Sequence, residues 1–268
     1  MALGSNGPAW LFCPADRPER FEKAAAAADV VILDLEDGVA AKDREAARQA
    51  LIDTPLNPAR TVVRINPSAT PDHQLDLDAL ARTDYTVVML AKTESPRQVR
   101  DLAPREVVVL IETPLGALEV SELARMDNAF AVMWGAEDLF AVTGGTANRW
   151  PDGSYRDVAR HVRSQSLLAA KAYGKIALDS VYLNIKDLDG LRAESDDAVA
   201  VGFDAKVAIH PSQVAVIRDA YAPTDEQFDW ARAVLAAARD ERGVFQFEGL
   251  MVDAPVLRRA ERIVASAT

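Results

Sequence analysis

The chain has 268 residues, enough for one large domain or two small ones, and its 30 Lys and Arg against 41 Asp and Glu leave a net charge of −11. That balance excludes a nucleic-acid surface, which needs concentrated basic charge, and the lone Cys13 excludes an intrachain disulfide or a cysteine-built zinc cluster. No basic leader runs into an apolar segment, and no apolar run nears the length of about 18 residues that spans a bilayer. The expectation is an acidic, cytosolic globular protein with neither nucleic-acid nor membrane partners.

Eight short apolar runs follow one another along the chain. They are Trp10 to Pro14, Val30 to Leu35, Thr61 to Ile65, Thr86 to Leu90, Val107 to Ile111, Ala129 to Trp134, a weaker run from Leu178 to Leu183, and Ala205 to Ile209. Several are apolar at every position, the pattern of parallel strands covered on both faces by helices. Between them lie Ala-, Leu-, Glu- and Arg-rich stretches with helical spacing. Pro18 and Glu19 open the first helix, with Phe21, Ala24, Ala25 and Ala28 on one face. Thr113 and Pro114 read as an N-cap and a first-turn proline. Asp157 opens a helix whose predicted apolar stripe is Val158, Val162, Leu167 and Leu168.

Eight strand–helix repeats in about 220 residues predict a (β/α)8 TIM barrel over residues 1–222. The alternative, an open doubly wound sheet, wants a glycine-rich first turn that the segment Cys13 to Pro18 lacks. The stretch Thr143 to Ser154 is dense in turn formers and predicts a long loop. Residues 223–268 form a C-terminal helical extension: a helix from Asp225 to about Arg242, an apolar-aromatic segment Val244 to Val252, and a terminal helix from Pro255. This extension is too short to stand as a domain, so it is expected to act as a lid on the barrel or on a neighbouring subunit.

Active sites of such barrels lie at the carboxyl ends of the strands, and charge gathers there. Glu36 and Asp37 follow the second run, Arg64 ends the third, Lys92 follows the fourth, Glu112 the fifth and Asp138 the sixth. Glu112 and Asp138 fall on adjacent strands, where two carboxylates cannot both ionise cheaply without a cation between them. Oxygen ligands without a His or Cys cluster suit Mg²⁺ or Mn²⁺, with open positions for a chelating keto acid. The alternative is that one of the two caps a helix or pairs with Lys92. Arg64 can grip a substrate carboxylate and stabilise an enolate, or stand in a structural ion pair with Glu36 or Asp37. Arg17 and Lys23, near the start of the first helix, can meet phosphates or serve as plain surface charge. His210 and Cys13 read as structural.

These residues sit in segments that resemble a known family. Leu11-Phe-Cys-Pro-Ala-Asp-Arg-Pro-Glu-Arg-Phe21, Val31-Ile-Leu-Asp-Leu-Glu-Asp-Gly38, Val63-Arg-Ile-Asn66, Ile111-Glu-Thr-Pro114, Trp134-Gly-Ala-Glu-Asp-Leu139, Ala208-Ile-His-Pro211 and Gly249-Leu-Met-Val-Asp-Ala-Pro255 occur in the family's order over nearly the whole chain. Together they resemble the citrate lyase beta-subunit-like proteins of the HpcH/HpaI aldolase and citrate lyase superfamily, including stand-alone mycobacterial members and the citramalyl-CoA and malyl-CoA lyases. Ala91 departs from the pattern, which usually carries proline before the lysine.

The resemblance implies a Mg²⁺-dependent barrel enzyme, commonly a homotrimer, that cleaves or forms a carbon–carbon bond beside a coenzyme A thioester. By motif, Glu112 and Asp138 carry over as metal ligands, Arg64 as the substrate and enolate contact, and Glu36 as the partner of metal-bound water. Phe12, Arg17 and Lys23 match the coenzyme A contacts. Asp253 matches an acid/base residue contributed by an adjacent subunit; the local alternative is a helix cap. The rival functions are a metal-dependent aldolase acting on free hydroxy-keto acids, and a beta subunit active only inside a multi-subunit citrate lyase with an acyl-carrier partner.

Overall fold

The eight apolar runs become eight parallel strands: β1 (Ala9–Pro14), β2 (Val30–Asp34), β3 (Thr61–Ile65), β4 (Val87–Leu90), β5 (Glu106–Ile111), β6 (Ala129–Trp134), β7 (Ile176–Asp179) and β8 (Ala205–Ala208). Each pairs with the next, and β8 closes on β1 through Trp10 opposite Val207, so the sheet is a closed barrel as predicted. The structure is a computed structural model and describes residues 6–239 and 243–266. Alternate residues fill the barrel interior. Trp10, Ile32, Val62, Met89, Val108, Leu110, Met133, Leu178 and Val207 form one buried cluster, a packed core and not a pore.

Helices α1 (Phe21–Ala27), α2 (Arg44–Asp53), α3 (Pro71–Leu80), α4 (Pro96–Arg100), α5 (Pro114–Ala124), α6 (Ala136–Thr143), α7 (Asp157–Ala172), α8 (Leu188–Val201) and α9 (Ser212–Tyr221) follow the strands. Thr113 caps α5 as predicted, its hydroxyl accepting from the Gly116 N–H at 3.0 Å. The predicted stripe of α7 is corrected. Val158 and Leu168 are exposed, and the buried face is Ala159, Val162, Ser166, Ala169 and Ala170. Helix α7 packs on α5, β6 and β7, and small side chains let it approach where two leucines would not fit.

Strand β7 is shorter than its apolar run. It ends at Asp179, and Leu183 and Ile185 lie exposed in the following loop. Asp179 points into the layer between sheet and helices. There it accepts from Trp134 Nε1 at 2.7 Å, Arg163 Nε at 2.9 Å and Lys206 Nζ at 3.1 Å. Burial alone would raise its carboxyl, but Lys206 and Arg163 hold it down to about 2. Lys206 is fully buried and also reaches Glu194 at 2.9 Å, so these charges are mutually paired, as buried charges must be. The network fixes Trp134 at the end of β6, and the edge of its ring meets Tyr155 from the loop after α6, with centroids 5.0 Å apart.

The chain divides into two compact units within α9, Met1–Arg218 and Asp219–Thr268; the sequence reading placed the break after residue 222. In the second unit, α10 (Asp225–Ala237) and α11 (Ala254–Ser266) flank a hairpin, β9 (Phe245–Phe247) and β10 (Leu250–Val252). Helix α10 ends at Ala237 with its cap at Ala238, short of the predicted end near Arg242, a residue outside those described. Glu248 and Gly249, with φ of 49° and 82°, make the two-residue turn of that hairpin. Phe245 and Phe247 pack with Trp230, Leu235, Val256 and Leu257 around Ala231, Val234, Val252 and Ala260. The extension thus carries a small apolar core of its own, while Leu250 and Met251 stay exposed.

Candidate active site

Strand β2 ends in Asp34, an acid inside an apolar run, and its carboxylate organises one side of the barrel mouth. It accepts from the backbone N–H of Glu36 and of Gly38, each at 2.9 Å, which folds residues 35–38 into a tight turn. The same carboxylate takes Arg64 of β3 side-on, Nε at 2.7 Å and Nη2 at 2.5 Å. Arg64 Nη1 lies 3.1 Å from Glu36 Oε2, and its guanidinium carbon sits 4.7 Å from the centre of the Phe12 ring of β1. Burial disfavours the charge on Arg64, but Asp34 and Glu36 more than restore it, so its pKa stands above the ordinary arginine value. A guanidinium has five N–H donors; two donate to Asp34 and Nη1 stands beside Glu36 as an ion pair, so at least one on each terminal nitrogen remains for a ligand.

Gly38 is required by close approach. A Cβ there would lie 2.3 Å from Asp34 Oδ2. Gly38→Ala is therefore expected to cost on the order of 1–3 kcal/mol and to lower turnover by tilting Arg64. A thermal melt with Tm unchanged from wild type would refute this.

The other side of the mouth comes from β4, β5 and β6. Glu112, one residue past β5, is 3% exposed, and its Oε1 accepts from the Lys92 N–H at 2.9 Å. Gly135 opens α6 directly against it, since a Cβ there would lie 3.0 Å from Glu112 Cβ and Oε2. Asp138 follows in the first turn of α6. The Lys92 ammonium bonds Glu36 Oε1 and lies 3.3 Å from Asp37 Oδ2 and 3.4 Å from Asp138 Oδ1. Burial first, and the Asp138 charge second, push the Glu112 carboxyl up to about 8.

The charge count tests the predicted metal. Asp34, Glu36, Asp37, Glu112 and Asp138 are five acids around two cations, Arg64 and Lys92. A divalent hard cation between Glu112 and Asp138 would offset most of that excess and meet only oxygen ligands, so the donor set fits magnesium. Among the described residues no three His, Cys, Asp or Glu side chains form a metal-holding group. The remaining ligands would therefore come from water and substrate.

The sequence placed Glu36, Arg64, Glu112 and Asp138 together, and the structure gathers them at one mouth. Phe12 lies beneath Arg64 within the barrel. Arg17 and Lys23 are exposed after the carboxyl end of β1; Arg17 touches Asp16 only at 3.8 Å, and Lys23 has no ion pair among the described residues. Asp253 belongs to the second unit, where its Oδ1 caps α11 by accepting from the Val256 N–H at 3.3 Å. The Cys13 thiol is buried and pushed up to about 11, chiefly by that burial, so it stays protonated and inert. The His210 ring meets the neighbouring Ser212, its Nδ1 2.8 Å from the hydroxyl, and its backbone N–H donates to Gln213 Oε1 at 3.3 Å.

Asp34 escaped the sequence reading as a site member; it could have been found as an acid in a buried strand, which demands a cationic partner. Lys92 was placed on the rim and as an alternative partner of the carboxylate pair, and it does stand 3.4 Å from Asp138.

The family model described as HpcH/HpaI aldolase/citrate lyase matches residues 9–211. A citrate lyase subunit beta-like protein of Mycobacterium tuberculosis is 61% identical over 267 residues, covering 100% of this chain and 98% of that protein. The mitochondrial citramalyl-CoA lyase of Mus musculus is 31% identical over 295 residues, covering 96% and 85%. The crystal structure of M. tuberculosis CitE with magnesium, acetoacetate and coenzyme A superposes with a TM-score of 0.96 at 61% identity, over 98% of this chain and 99% of that one.

Proposed function

The chain belongs to the HpcH/HpaI aldolase/citrate lyase family, and from that premise we propose that it is a magnesium-dependent lyase of 3-hydroxyacyl-CoA thioesters such as citramalyl-CoA, malyl-CoA or 3-hydroxy-3-methylglutaryl-CoA. The observation that carries this reading is the placement of a half-spent guanidinium, Arg64, opposite the carboxylate pair Glu112 and Asp138 at one barrel mouth. A relative 31% identical is named a citramalyl-CoA lyase, and the M. tuberculosis CitE structure holds magnesium, acetoacetate and coenzyme A.

Magnesium held by Glu112 and Asp138 would act as a Lewis acid on the keto oxygen and as a template for the keto acid. The protein's own groups do the rest. Cleavage passes the proton of the β-hydroxyl to the water that Glu36 orients and breaks the bond to the thioester α-carbon, releasing a keto acid and the enolate of acetyl-CoA, whose carbon then takes a proton from an acid. The two unspent N–H groups of Arg64, fixed in plane by Asp34 and Glu36, offer hydrogen bonds where enolate charge develops. Glu36, held between Arg64 and Lys92, orients water beside the metal ligands. Arg17 and Lys23 are loosely paired or unpaired cations that suit the phosphates of coenzyme A, while Phe12 is the member of that set in contact with Arg64.

Asp253 is the acid that protonates the enolate in this reading, presented by a neighbouring subunit of a homotrimer, with residues 223–268 as the lid. Its capping bond uses one carboxylate oxygen, and Asn caps about as well as Asp. Asp253→Asn is thus expected to lower kcat by on the order of 10²–10⁴ with thioester binding kept. A cap alone predicts near wild-type activity. Mixing Asp253→Asn with Glu112→Ala chains should restore part of the activity if the residue serves a neighbour's site.

Assay of the purified chain on the three thioesters, with and without magnesium, tests the proposal. Turnover of free hydroxy-keto acids without coenzyme A would replace it with the aldolase reading. Turnover only after addition of an acyl-carrier subunit would replace it with the multi-subunit reading.

A further inference from the structure

Lys92 grips the carboxylate cluster twice. Its backbone N–H holds Glu112 Oε1 at 2.9 Å, and its ammonium bonds Glu36 and stands within 3.4 Å of Asp37 and Asp138. To do both, the residue adopts φ of 49°, one of two non-glycine residues with positive φ among those described; the other is in the hairpin turn. L-residues avoid this region, and where a fold imposes it the strain commonly serves the site. The Lys92 side chain is 26% exposed and its ammonium is ringed by carboxylates, so its charge is felt strongly by its neighbours.

We propose that Lys92 is an internal substitute for the metal: it holds the acidic ligands together in the metal-free chain, competes with the divalent cation for Asp138, and so makes tight metal binding depend on the arrival of the keto acid. This rests on the reading of Glu112 and Asp138 as the metal ligands. With Lys92 in place, an incoming cation meets a fixed like charge and must take Asp138 from it. A bound keto acid brings a carboxylate of its own and offsets that repulsion, so magnesium and keto acid raise each other's affinity by one reciprocal factor. A lysine that only braced the turn would do the opposite. Its loss would disorder Glu112 and Asp138 and weaken the metal.

The test is calorimetric titration of Mg²⁺ into chelator-stripped wild type, Lys92→Met, Lys92→Arg and Glu112→Gln chains, each with and without saturating pyruvate. Lys92→Met should bind Mg²⁺ at least about tenfold more tightly than wild type in the absence of pyruvate. Pyruvate ligates the metal directly and should tighten Mg²⁺ in every chain that binds it, but by a factor about tenfold larger in wild type and Lys92→Arg than in Lys92→Met; an equal factor in all three overturns the inference. Unchanged or weaker Mg²⁺ binding by Lys92→Met overturns the inference. Should that variant fold only with Mg²⁺, its Mg²⁺-induced rise in Tm must exceed that of wild type, and an equal or smaller rise overturns it. Glu112→Gln separates the two readings. Loss of Mg²⁺ binding there leaves the metal assignment standing whatever Lys92 does, whereas wild-type binding removes that assignment and the inference with it.

Discussion

Glu112→Gln is expected to reduce magnesium-dependent turnover by roughly 10³-fold or more, since Lewis-acid stabilisation is worth several kcal/mol and each 1.36 kcal/mol is about tenfold. The same variant should change stability in a direction that identifies the cause. In the metal-free native chain Glu112 holds its proton up to about pH 8, whereas its ordinary value is 4.5. Between those values the native state binds more protons than the unfolded chain, so this group's contribution to stability falls as pH rises through that window. Glutamine lacks the titration. Metal-free wild type should therefore lose Tm relative to Glu112→Gln between about pH 4.5 and 8, by several degrees. Added Mg²⁺ should raise the Tm of wild type and leave the variant unmoved. Melts run with chelator and with Mg²⁺ across that range decide it; parallel curves with equal Mg²⁺ responses would remove Glu112 from the metal site.

The second large effect concerns Arg64. Arg64→Lys keeps the charge and should still lose about 10²–10³ in kcat/KM, the usual cost of removing a fixed donor aimed at developing negative charge. An ammonium cannot span both oxygens of Asp34 in one plane, reach over Phe12 and still present further N–H groups on two separate nitrogens. Because Asp34 also folds the 35–38 turn, the variant should lose some thermal stability as well. Turnover that drops by far more than the folded fraction does, read by circular dichroism, separates the chemical role from the structural one. A lysine variant with wild-type kcat/KM would leave Arg64 a structural ion pair only.

Local sequence carried much of this protein. Several runs, such as Val107 to Ile111, are apolar at every position, the pattern of strands covered on both faces, and eight short apolar runs in series leave few topologies besides the closed barrel. Thr113 and Pro114 announced α5 by capping chemistry alone. Glu36, Arg64, Glu112 and Asp138 were legible for the same reason: position after a strand fixes which end of the barrel a residue occupies.

What the sequence left open depends on partners far away along the chain. Nothing local says that Asp34 takes Arg64 from 30 residues on, or that Lys92 reaches back 56 residues to Glu36. The inward face of α7 was misread because Val158 and Leu168 are more apolar than Ala159 and Ser166. Which side faces the sheet was settled by the close packing of the helix on β6 and β7, where volume outweighs hydrophobicity. The sequence by itself determined the strands, the barrel and the rim on which charge collects, because those follow from periodicity and chain order. Tertiary structure alone decided which acids share which cation, because pairing energies depend on distances and burial that exist only once the barrel has closed.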